Sequence, residues 1–246
     1  MYDITADYHT HTIYSHGKGT IEENVQAART RGLKKIAISD HGFGHIGYGI
    51  KKGDVQKMRE EIQRLNEKYD DIEILLGIES NLVGLDGNID IPEEYFDKFD
   101  IILMGFHKGA MPASCKDALS LFGRNMMAKL LSEKQREELR YINTFSMIKA
   151  MDRYPIDIIT HPGAKIDIDS RLLAEKAAQT GIALEINASH GFMTADYVKI
   201  ALEQGATFVI NSDAHTPDRV GVFDLGIQIA REAALPPEAI INSRLF

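Results

Sequence analysis

The chain has 246 residues, of which 44% are hydrophobic and 26% charged, and its length suits the roughly 250 residues of one α/β barrel. The formal net charge of −8, without any basic run of five residues, disfavours a nonspecific polyanion-binding protein, although a local cationic site can still bind a small anion. Cys115 is the only cysteine, so no intrachain disulfide forms. The N-terminus lacks the features of a signal peptide and no apolar run suits a membrane helix, so we expect a cytoplasmic protein.

Seven short apolar, β-branched segments recur along the chain, and most are followed by a longer stretch with helical spacing. They predict strands at residues 4–8, 35–39, 72–78, 101–106, 156–160, 183–187 and 207–211. Most are continuously apolar, which favours parallel strands covered on both faces. Repeated right-handed crossovers predict a closed or nearly closed (β/α) barrel, and a doubly wound open sheet is the alternative.

The predicted helices carry recognisable ends. Thr20 with Glu23, and Ser132 with Gln135, have the spacing of a capping box at a helix N-terminus. Three glycines follow a helical stretch just before a strand, where a left-handed residue is expected: Gly32, Gly181 and Gly205.

Two segments do not fit the βα alternation. Residues 81–94 are rich in Gly and Asp and indicate a loop. Residues 108–131 mix Gly, Pro, Met and aliphatic side chains without a clean period. This second segment is either a lid over an active site or an extra helix packed on the barrel.

Histidines follow six of the seven predicted strands, and Glu79 follows the third. In chain order these residues are His9, His11, His16, His41, His45, Glu79, His107, His161, His190 and His215, with Asp213 beside the last. The carboxyl ends of parallel barrel strands share one face, where active sites form. Imidazole and carboxylate ligands suit Zn, Mn and Fe, and this many candidates indicates more than one ion.

The spacing of two motifs supports a shared pocket. His9 and His11 flank Thr10 and therefore project to the same side of an extended backbone. Asp213 and His215 repeat this spacing after the last strand. We predict a polynuclear metal site at this face of the barrel.

Five motifs together resemble those of the PHP (polymerase and histidinol phosphatase) family, in the family's order. They are His9-Thr10-His11-Thr12, Ser39-Asp40-His41-Gly42, Gly77-Ile78-Glu79, Thr160-His161-Pro162-Gly163 and Asn211-Ser212-Asp213-Ala214-His215. The resemblance implies a distorted (β/α)7 barrel formed by residues 1–246 as a single domain. It also implies metal-dependent phosphoester hydrolysis at three divalent ions of Zn, Mn or Fe, as in the small stand-alone bacterial PHP phosphatases.

The resemblance also implies an assignment of ligands, with Glu79 and Asp213 as the catalytic carboxylates. The first ion would be held by His9, His11, Glu79 and Asp213; the second by Glu79, His107 and His161; the third by His16, His41 and His215. Asp40 and Asn187 are expected either to orient ligating imidazoles or to cap loops.

We expect water activated by the ions to attack phosphorus in line, with a small phosphorylated metabolite as substrate. Candidates for substrate binding are Lys108, Arg124, Lys165, Arg219 and His190. His45, in a glycine-rich loop, is a further candidate for substrate contact.

Three other functions remain open at this stage. PHP domains also act as phosphodiesterases or exonucleases, although the acidic balance of this chain disfavours nucleic acid as a partner. An amidohydrolase also begins with an HxH motif and ends with a late Asp on a barrel. The third alternative is a noncatalytic metal-binding module.

Overall fold

Seven parallel strands form one sheet and lie side by side in their order along the chain in this computed structural model, which describes residues 2–244. The strands are β1 (Ala6–Asp7), β2 (Lys35–Ile38), β3 (Glu73–Asn81), β4 (Ile101–Gly105), β5 (Ile158–Ile159), β6 (Ala183–Asn187) and β7 (Phe208–Asn211). Every predicted strand is therefore confirmed, as is the parallel βα alternation.

The two ends of the sheet meet and make it a nearly closed barrel. Beyond β1 and β7, Thr10 and Ala214 form a parallel bridge. The amide of His11 donates to the carbonyl of Ala214 at 2.8 Å, and the amide of Ala214 donates to the carbonyl of His9 at 3.2 Å. These contacts join the first and last strands, so the barrel and not the open sheet is the observed topology.

Eight α-helices accompany the strands in residues 2–244. They are α1 (Ile21–Thr30), α2 (Val55–Lys68), α3 (Cys115–Asp117), α4 (Arg124–Met126), α5 (Glu133–Arg153), α6 (Ser170–Thr180), α7 (Ala195–Glu203) and α8 (Asp224–Glu232). Short 3-10 helices lie at Lys52–Asp54, Glu93–Lys98, Ala128–Leu130, Pro217–Arg219 and Pro237–Ala239. None of these helices is long and apolar enough to cross a membrane.

The predicted helix ends are confirmed. Thr20 and Ser132 each form a complete capping box, with Glu23 and Gln135 returning the bond to the backbone of the capping residue. Gly32, Gly181 and Gly205 all have left-handed backbones, with φ between 74° and 80°.

Within the segment 108–131, residues 115–130 are mostly helical and pack against the barrel. The residues between α3 and α4, Ala118–Gly123, form a π-helical turn. Leu121 and Phe122 are buried, and the ring of Phe122 lies 5.0 Å from that of Phe106. Asn125 and Asn143 of α5 exchange amide hydrogen bonds of 2.7 and 2.9 Å. These contacts favour the extra packed helix over the lid.

The interior of the barrel is filled by side chains from adjacent strands. Leu103, Ile158, Ala183 and Val209 form a small buried cluster of their own. Because side chains alternate along a strand, the face of β6 that carries Ala183 also carries Glu185 and Asn187 toward the carboxyl end. The same pleat therefore brings polar side chains to the end where the histidines are.

Candidate metal centre

The first predicted ligand group is assembled at the carboxyl ends of β1, β3 and β7. The Nε2 atoms of His9 and His11 are 3.1 Å apart. His9 Nε2 lies 3.3 Å from Glu79 Oε1, and His11 Nε2 lies 3.3 Å from Asp213 Oδ1. All four side chains are buried. Two imidazole nitrogens and two carboxylates thus point at one small volume.

Glu79 joins this group to the next. Its Oε1 lies 3.0 Å from Nε2 of His161 and 3.3 Å from Nε2 of His107. Its Oε2 lies 2.7 Å from Nδ1 of His41. One carboxylate therefore faces imidazoles from the ends of β1, β2, β4 and β5, as a bridging ligand must.

The remaining histidines gather beside His11. Ring centroids are 4.2 Å apart for His16 and His215, and 4.8 Å apart for His16 and His41. One nitrogen each of His11, His16, His41 and His215 lies within 4.8 Å of the others. We call the nine predicted metal-binding residues the ligand cluster: His9, His11, His16, His41, Glu79, His107, His161, Asp213 and His215.

The donor atoms of the ligand cluster suit divalent metal ions, because several of them form no hydrogen bond within residues 2–244. Nδ1 of His16 is buried without a hydrogen-bond partner within residues 2–244, and Nδ1 of His41 and Oε2 of Glu79, although 2.7 Å apart, are not aligned for a hydrogen bond. Leaving such an atom unpaired costs about 1–3 kcal/mol. Nitrogen and carboxylate donors in this number suit Zn, Mn or Fe more than Mg or Ca.

The electrostatics keep the two predicted catalytic carboxylates charged. Burial alone opposes ionisation of Glu79, but His107, His9 and His41 hold its pKa well below the ordinary value. Burial likewise opposes ionisation of Asp213, and His9 and His11 more than offset it. Both side chains therefore offer anionic oxygens to cations.

The imidazoles divide into two electrostatic groups. Burial lowers the pKa of His107 to about 4, and burial together with His215 lowers the pKa of His16 to about 4. Burial also holds the pKa of His11 well below its ordinary value. Against the opposing effect of burial, the carboxylates of Glu185, Asp213 and Glu79 raise the pKa of His9 well above its ordinary value.

Three imidazoles are oriented through their other nitrogen. Nδ1 of His9 donates to Glu185 Oε1 at 2.7 Å, and Nδ1 of His107 donates to Asn81 Oδ1 at 2.7 Å. Nδ1 of His215 donates to the carbonyl of Asp213 at 2.9 Å. Each bond fixes the tautomer that leaves Nε2 free for a metal ion.

Glu185 and Asn81 were not predicted as site residues. Glu185 is fully buried; its Oε2 accepts the His161 amide at 2.7 Å, and its Oε1 accepts Asn211 Nδ2 at 2.9 Å. The sequence signal that could have identified Glu185 was its position as a single acidic residue inside the apolar strand Ala183–Asn187. Asn81 offered no signal beyond its place at the end of β3.

Asp40 takes the loop-capping role, and Asn187 bonds a carboxylate of the ligand cluster and not an imidazole. Asp40 accepts bonds from the amide and hydroxyl of Thr12, at 2.7 and 2.6 Å, and from the Ser15 hydroxyl. It therefore holds the loop that carries His16 and does not bond an imidazole. Asn187 Nδ2 donates to the ligand-cluster carboxylate of Asp213 at 3.1 Å.

Two members of the ligand cluster have unusual backbones. His161 and Asp213 have positive φ angles of 29° and 51°. Residues other than glycine in this region store about 1–3 kcal/mol each, and such strain concentrates at functional sites. The barrel thus holds both side chains in place at an energetic cost.

The predicted substrate-binding residues are not all brought together. Nε2 of His190 lies 3.2 Å from Asp213 Oδ2, and Lys108 and Lys165 are exposed close along the chain to His107 and His161. Arg219 is exposed in the 3-10 helix after His215.

Two further candidates have distinct positions. The Arg124 guanidinium lies 3.4 Å from Glu138 and lines a groove between the segment 115–124 and α5 that contains no member of the ligand cluster. The structure therefore does not bring Arg124 to the predicted site. The ring of His45 stacks 4.8 Å from that of His41, at the edge of the ligand cluster.

Comparisons with known proteins agree with this geometry. A family model described as PHP domain matches residues 7–191. A probable phosphatase of Shewanella sp. (strain MR-4) is 31% identical over 252 residues, covering 96% of this chain and 86% of the relative. A probable phosphatase of Caldanaerobacter subterraneus subsp. tengcongensis is 32% identical over 251 residues, covering 98% and 87%.

A solved structure shares the fold. Histidinol phosphate phosphatase from Lactococcus lactis subsp. lactis, complexed with zinc, L-histidinol and phosphate, aligns with a TM-score of 0.61 at 14% identity over 95% of each chain.

Proposed function

The chain belongs to the PHP family and is a metal-dependent phosphoesterase, and we propose that it hydrolyses a small phosphomonoester at a centre of three divalent ions. The observation that carries this proposal is the position of Glu79, whose two oxygens face His161 at 3.0 Å and His41 at 2.7 Å. A carboxylate shared in this way would bind neighbouring divalent ions that together contact one phosphoryl group.

The ligand assignment is the one that the family resemblance implies, and the contacts of Glu79 and Asp213 support it. His9, His11, Glu79 and Asp213 would hold the first ion, Glu79, His107 and His161 the second, and His16, His41 and His215 the third. Bound divalent ions of Zn, Mn or Fe supply a water acidic enough to lose a proton near neutral pH, and positive charge opposite the phosphoryl oxygens.

The residues of the chain perform the remaining tasks. Glu79 and Asp213 stay ionised and balance the charge of the ions. Lys108 and Lys165 are exposed near the ligand cluster and would bind phosphoryl oxygens from the solvent side. The partly exposed His190 lies beside the ligand cluster, with its Nε2 3.2 Å from Asp213 Oδ2, and would contact the phosphoryl or leaving group from there.

We propose that residues 1–246 act as one catalytic domain in the cytoplasm. The family match ends at residue 191, yet Asp213 lies beyond it and approaches His11 to 3.3 Å. The part of the chain after the match therefore supplies ligands without which the first and third groups are incomplete.

The direct test is an activity screen of metal-reconstituted protein against phosphomonoesters, phosphodiesters and short single-stranded DNA. We expect phosphomonoesters to give the highest kcat/KM, with Glu79→Gln inactive on all of them and Glu73→Gln, an exposed carboxylate on the same strand, unchanged. Preferential cleavage of oligonucleotides would instead identify a nuclease. Metal binding without any hydrolysis would contradict the assignment of catalysis.

A further inference from the structure

Five exposed apolar side chains lie on loops at the same end of the barrel as the ligand cluster. They follow β1, β2, β4 and β6, and we call them the rim: Ile13, Ile46, Tyr48, Met111 and Phe192. Large apolar side chains around a polar pocket are typical of ligand sites, where they contact the apolar part of the ligand. The mechanism above uses none of the five.

Tyr48 is the rim residue in closest contact with the ligand cluster. Its ring stacks 4.5 Å from that of His16 and 5.1 Å from that of His45, in both cases at 26°. The side chain remains 48% exposed. An aromatic surface therefore extends outward from the predicted third metal group.

The loop that carries Tyr48 is fixed in place. The amide of Gly44 donates to Asp90 at 2.8 Å, and a Cβ on Gly42 would lie 2.3 Å from the same carboxylate. The amide of Met111 donates to the carbonyl of Gly44 at 2.8 Å, which joins this loop to the one after β4. The rim is thus built before any ligand binds, which lowers the entropic cost of binding.

Phe192 stands on another side of the ligand cluster. A Cβ on Gly163 would lie 3.8 Å from the Phe192 ring, and Gly163 comes two residues after His161. Tyr48 therefore adjoins the third predicted metal group and Phe192 the second. A substrate whose phosphoryl group rests on the ions extends between or beside these rings.

The loop stretches around most of the rim residues contain few charges. Residues 41–50, 109–115 and 188–194 contain no Asp, Glu, Lys or Arg, although such residues make up 26% of the chain; the exposed Lys51 and Lys108 flank the first two stretches. These stretches offer no carboxylate to an ammonium group, and Lys108 is assigned above to the phosphoryl group. Their chemistry favours a neutral, apolar partner.

We propose that the leaving group of the substrate is uncharged and contains a flat apolar portion that stacks on Tyr48. This inference rests on the proposed function, because the ions must fix the phosphoryl group for the rim to contact the group attached to it. Tyr48 is then a specificity-determining residue, assisted by Phe192.

The test measures binding to the metal-loaded protein by calorimetry, with phenylphosphonate, methylphosphonate and 2-aminoethylphosphonate as probes. We expect the wild type to prefer the phenyl compound over the methyl compound by about tenfold or more, as one stacking contact provides. Tyr48→Ala should abolish most of that preference and Tyr48→Phe should keep it. Phe145→Ala, an exposed ring on α5, is the matched control.

Phe192→Ala gives a second test if Tyr48→Ala loses metal through its contact with His16. A preference for phenylphosphonate that survives both Tyr48→Ala and Phe192→Ala overturns the inference. Tighter binding of 2-aminoethylphosphonate than of phenylphosphonate overturns it as well. In either case methylphosphonate still binds, and the proposed function stands. Failure of all three phosphonates to bind, with no phosphomonoester cleaved, overturns the proposed function itself.

Discussion

The carboxylate of Glu185 lies 2.7 Å from Nδ1 of His9, across a sequence separation of 176 residues and with both side chains fully buried. This contact turns the opposite nitrogen of His9 toward Glu79 and Asp213. Glu185 is itself held by the amides of Asn187 and Asn211, at 3.0 and 2.9 Å. A fixed carboxylate behind an imidazole orients it and increases its basicity toward a metal ion.

Glu185→Gln is therefore expected to weaken metal binding while the barrel stays folded. Loss of such an orienting partner costs about 10- to 100-fold in metal affinity. Competition with a chelating indicator measures the affinity, and circular dichroism checks the fold. Glu203→Gln, an exposed carboxylate on α7, is the control and should bind metal like the wild type. Equal metal affinities of Glu185→Gln and Glu203→Gln would show that Glu185 does not contribute to metal binding.

Metal binding is expected to strengthen as the pH rises from 6 to 8. The pKa of His9 in the metal-free protein is well above its ordinary value, because Glu185, Asp213 and Glu79 outweigh the effect of burial. A proton therefore occupies His9 near neutral pH and must leave when a metal ion binds. One displaced proton changes the apparent dissociation constant about tenfold per pH unit.

Calorimetry in buffers of different ionisation enthalpy measures this proton release. Glu185→Gln should release fewer protons than the wild type at pH 7, because one of the carboxylates that raise the pKa of His9 is gone. Affinity that stays constant between pH 6 and 8 contradicts the prediction.

Glu79→Gln and Asp213→Asn are expected to lower phosphatase turnover far more than stability. Each amide keeps the shape of the side chain but removes the anionic oxygen that approaches two or more imidazoles. We expect turnover to fall at least about 100-fold, more than for loss of an orienting partner. Turnover should be measured with metal content determined on the same sample. Near wild-type turnover at full metal content excludes both residues from the mechanism.

Most of the fold could be predicted from the sequence. The residues that make up the ligand cluster could be predicted as well. Strand β6 is observed at the predicted residues, and β1 and β5 are shorter because only two residues of each pair in the sheet. The nine predicted ligands converge because the ends of parallel barrel strands share one face. Periodicity and position along the chain predicted this convergence, and the resemblance to the PHP family separated the nine ligands from His45 and His190.

The sequence could not predict the hydrogen bonds that orient the imidazoles of the ligand cluster, because these bonds depend on side-chain direction across the barrel. Glu185 contacts His9 across 176 residues of sequence, and Asn81 contacts His107 from the neighbouring strand β3. Arg124 was a candidate because it could reach the site from a lid, but the helical segment turns its guanidinium toward Glu138. Position at a strand end therefore predicted the site better than position on an irregular segment.

The metal-reconstituted protein is expected to bind about two to three transition-metal ions per chain, because a four-ligand ion cannot use nine donors. Chelation should abolish activity, and Mg or Ca should not restore it, since the donors are rich in nitrogen. Metal should also stabilise the fold by about 2.7 kcal/mol per site at a hundred times the dissociation constant. Elemental analysis and thermal unfolding measure these effects. Fewer than about one ion per chain contradicts a polynuclear centre.

Lys108→Ala and Arg124→Ala are expected to differ, although both residues lie on the same segment after His107. Lys108 is exposed immediately after that ligand and makes no ion pair within residues 2–244, so its ammonium is available to phosphate. The Arg124 guanidinium lies 3.4 Å from the Glu138 carboxylate and donates a hydrogen bond to the Gln135 carbonyl at 3.5 Å.

We expect Lys108→Ala to lower kcat/KM about three- to tenfold. This effect is smaller than for loss of a buried charged hydrogen bond, because the Lys108 side chain is exposed. Arg124→Ala should leave kcat/KM, substrate ranking and metal content within about twofold of the wild type, since exposed ion pairs contribute little. Steady-state kinetics on one compact phosphomonoester and one aryl phosphate measure both variants. A larger effect from Arg124→Ala than from Lys108→Ala would show that the 108–131 segment bends toward the ligand cluster during turnover.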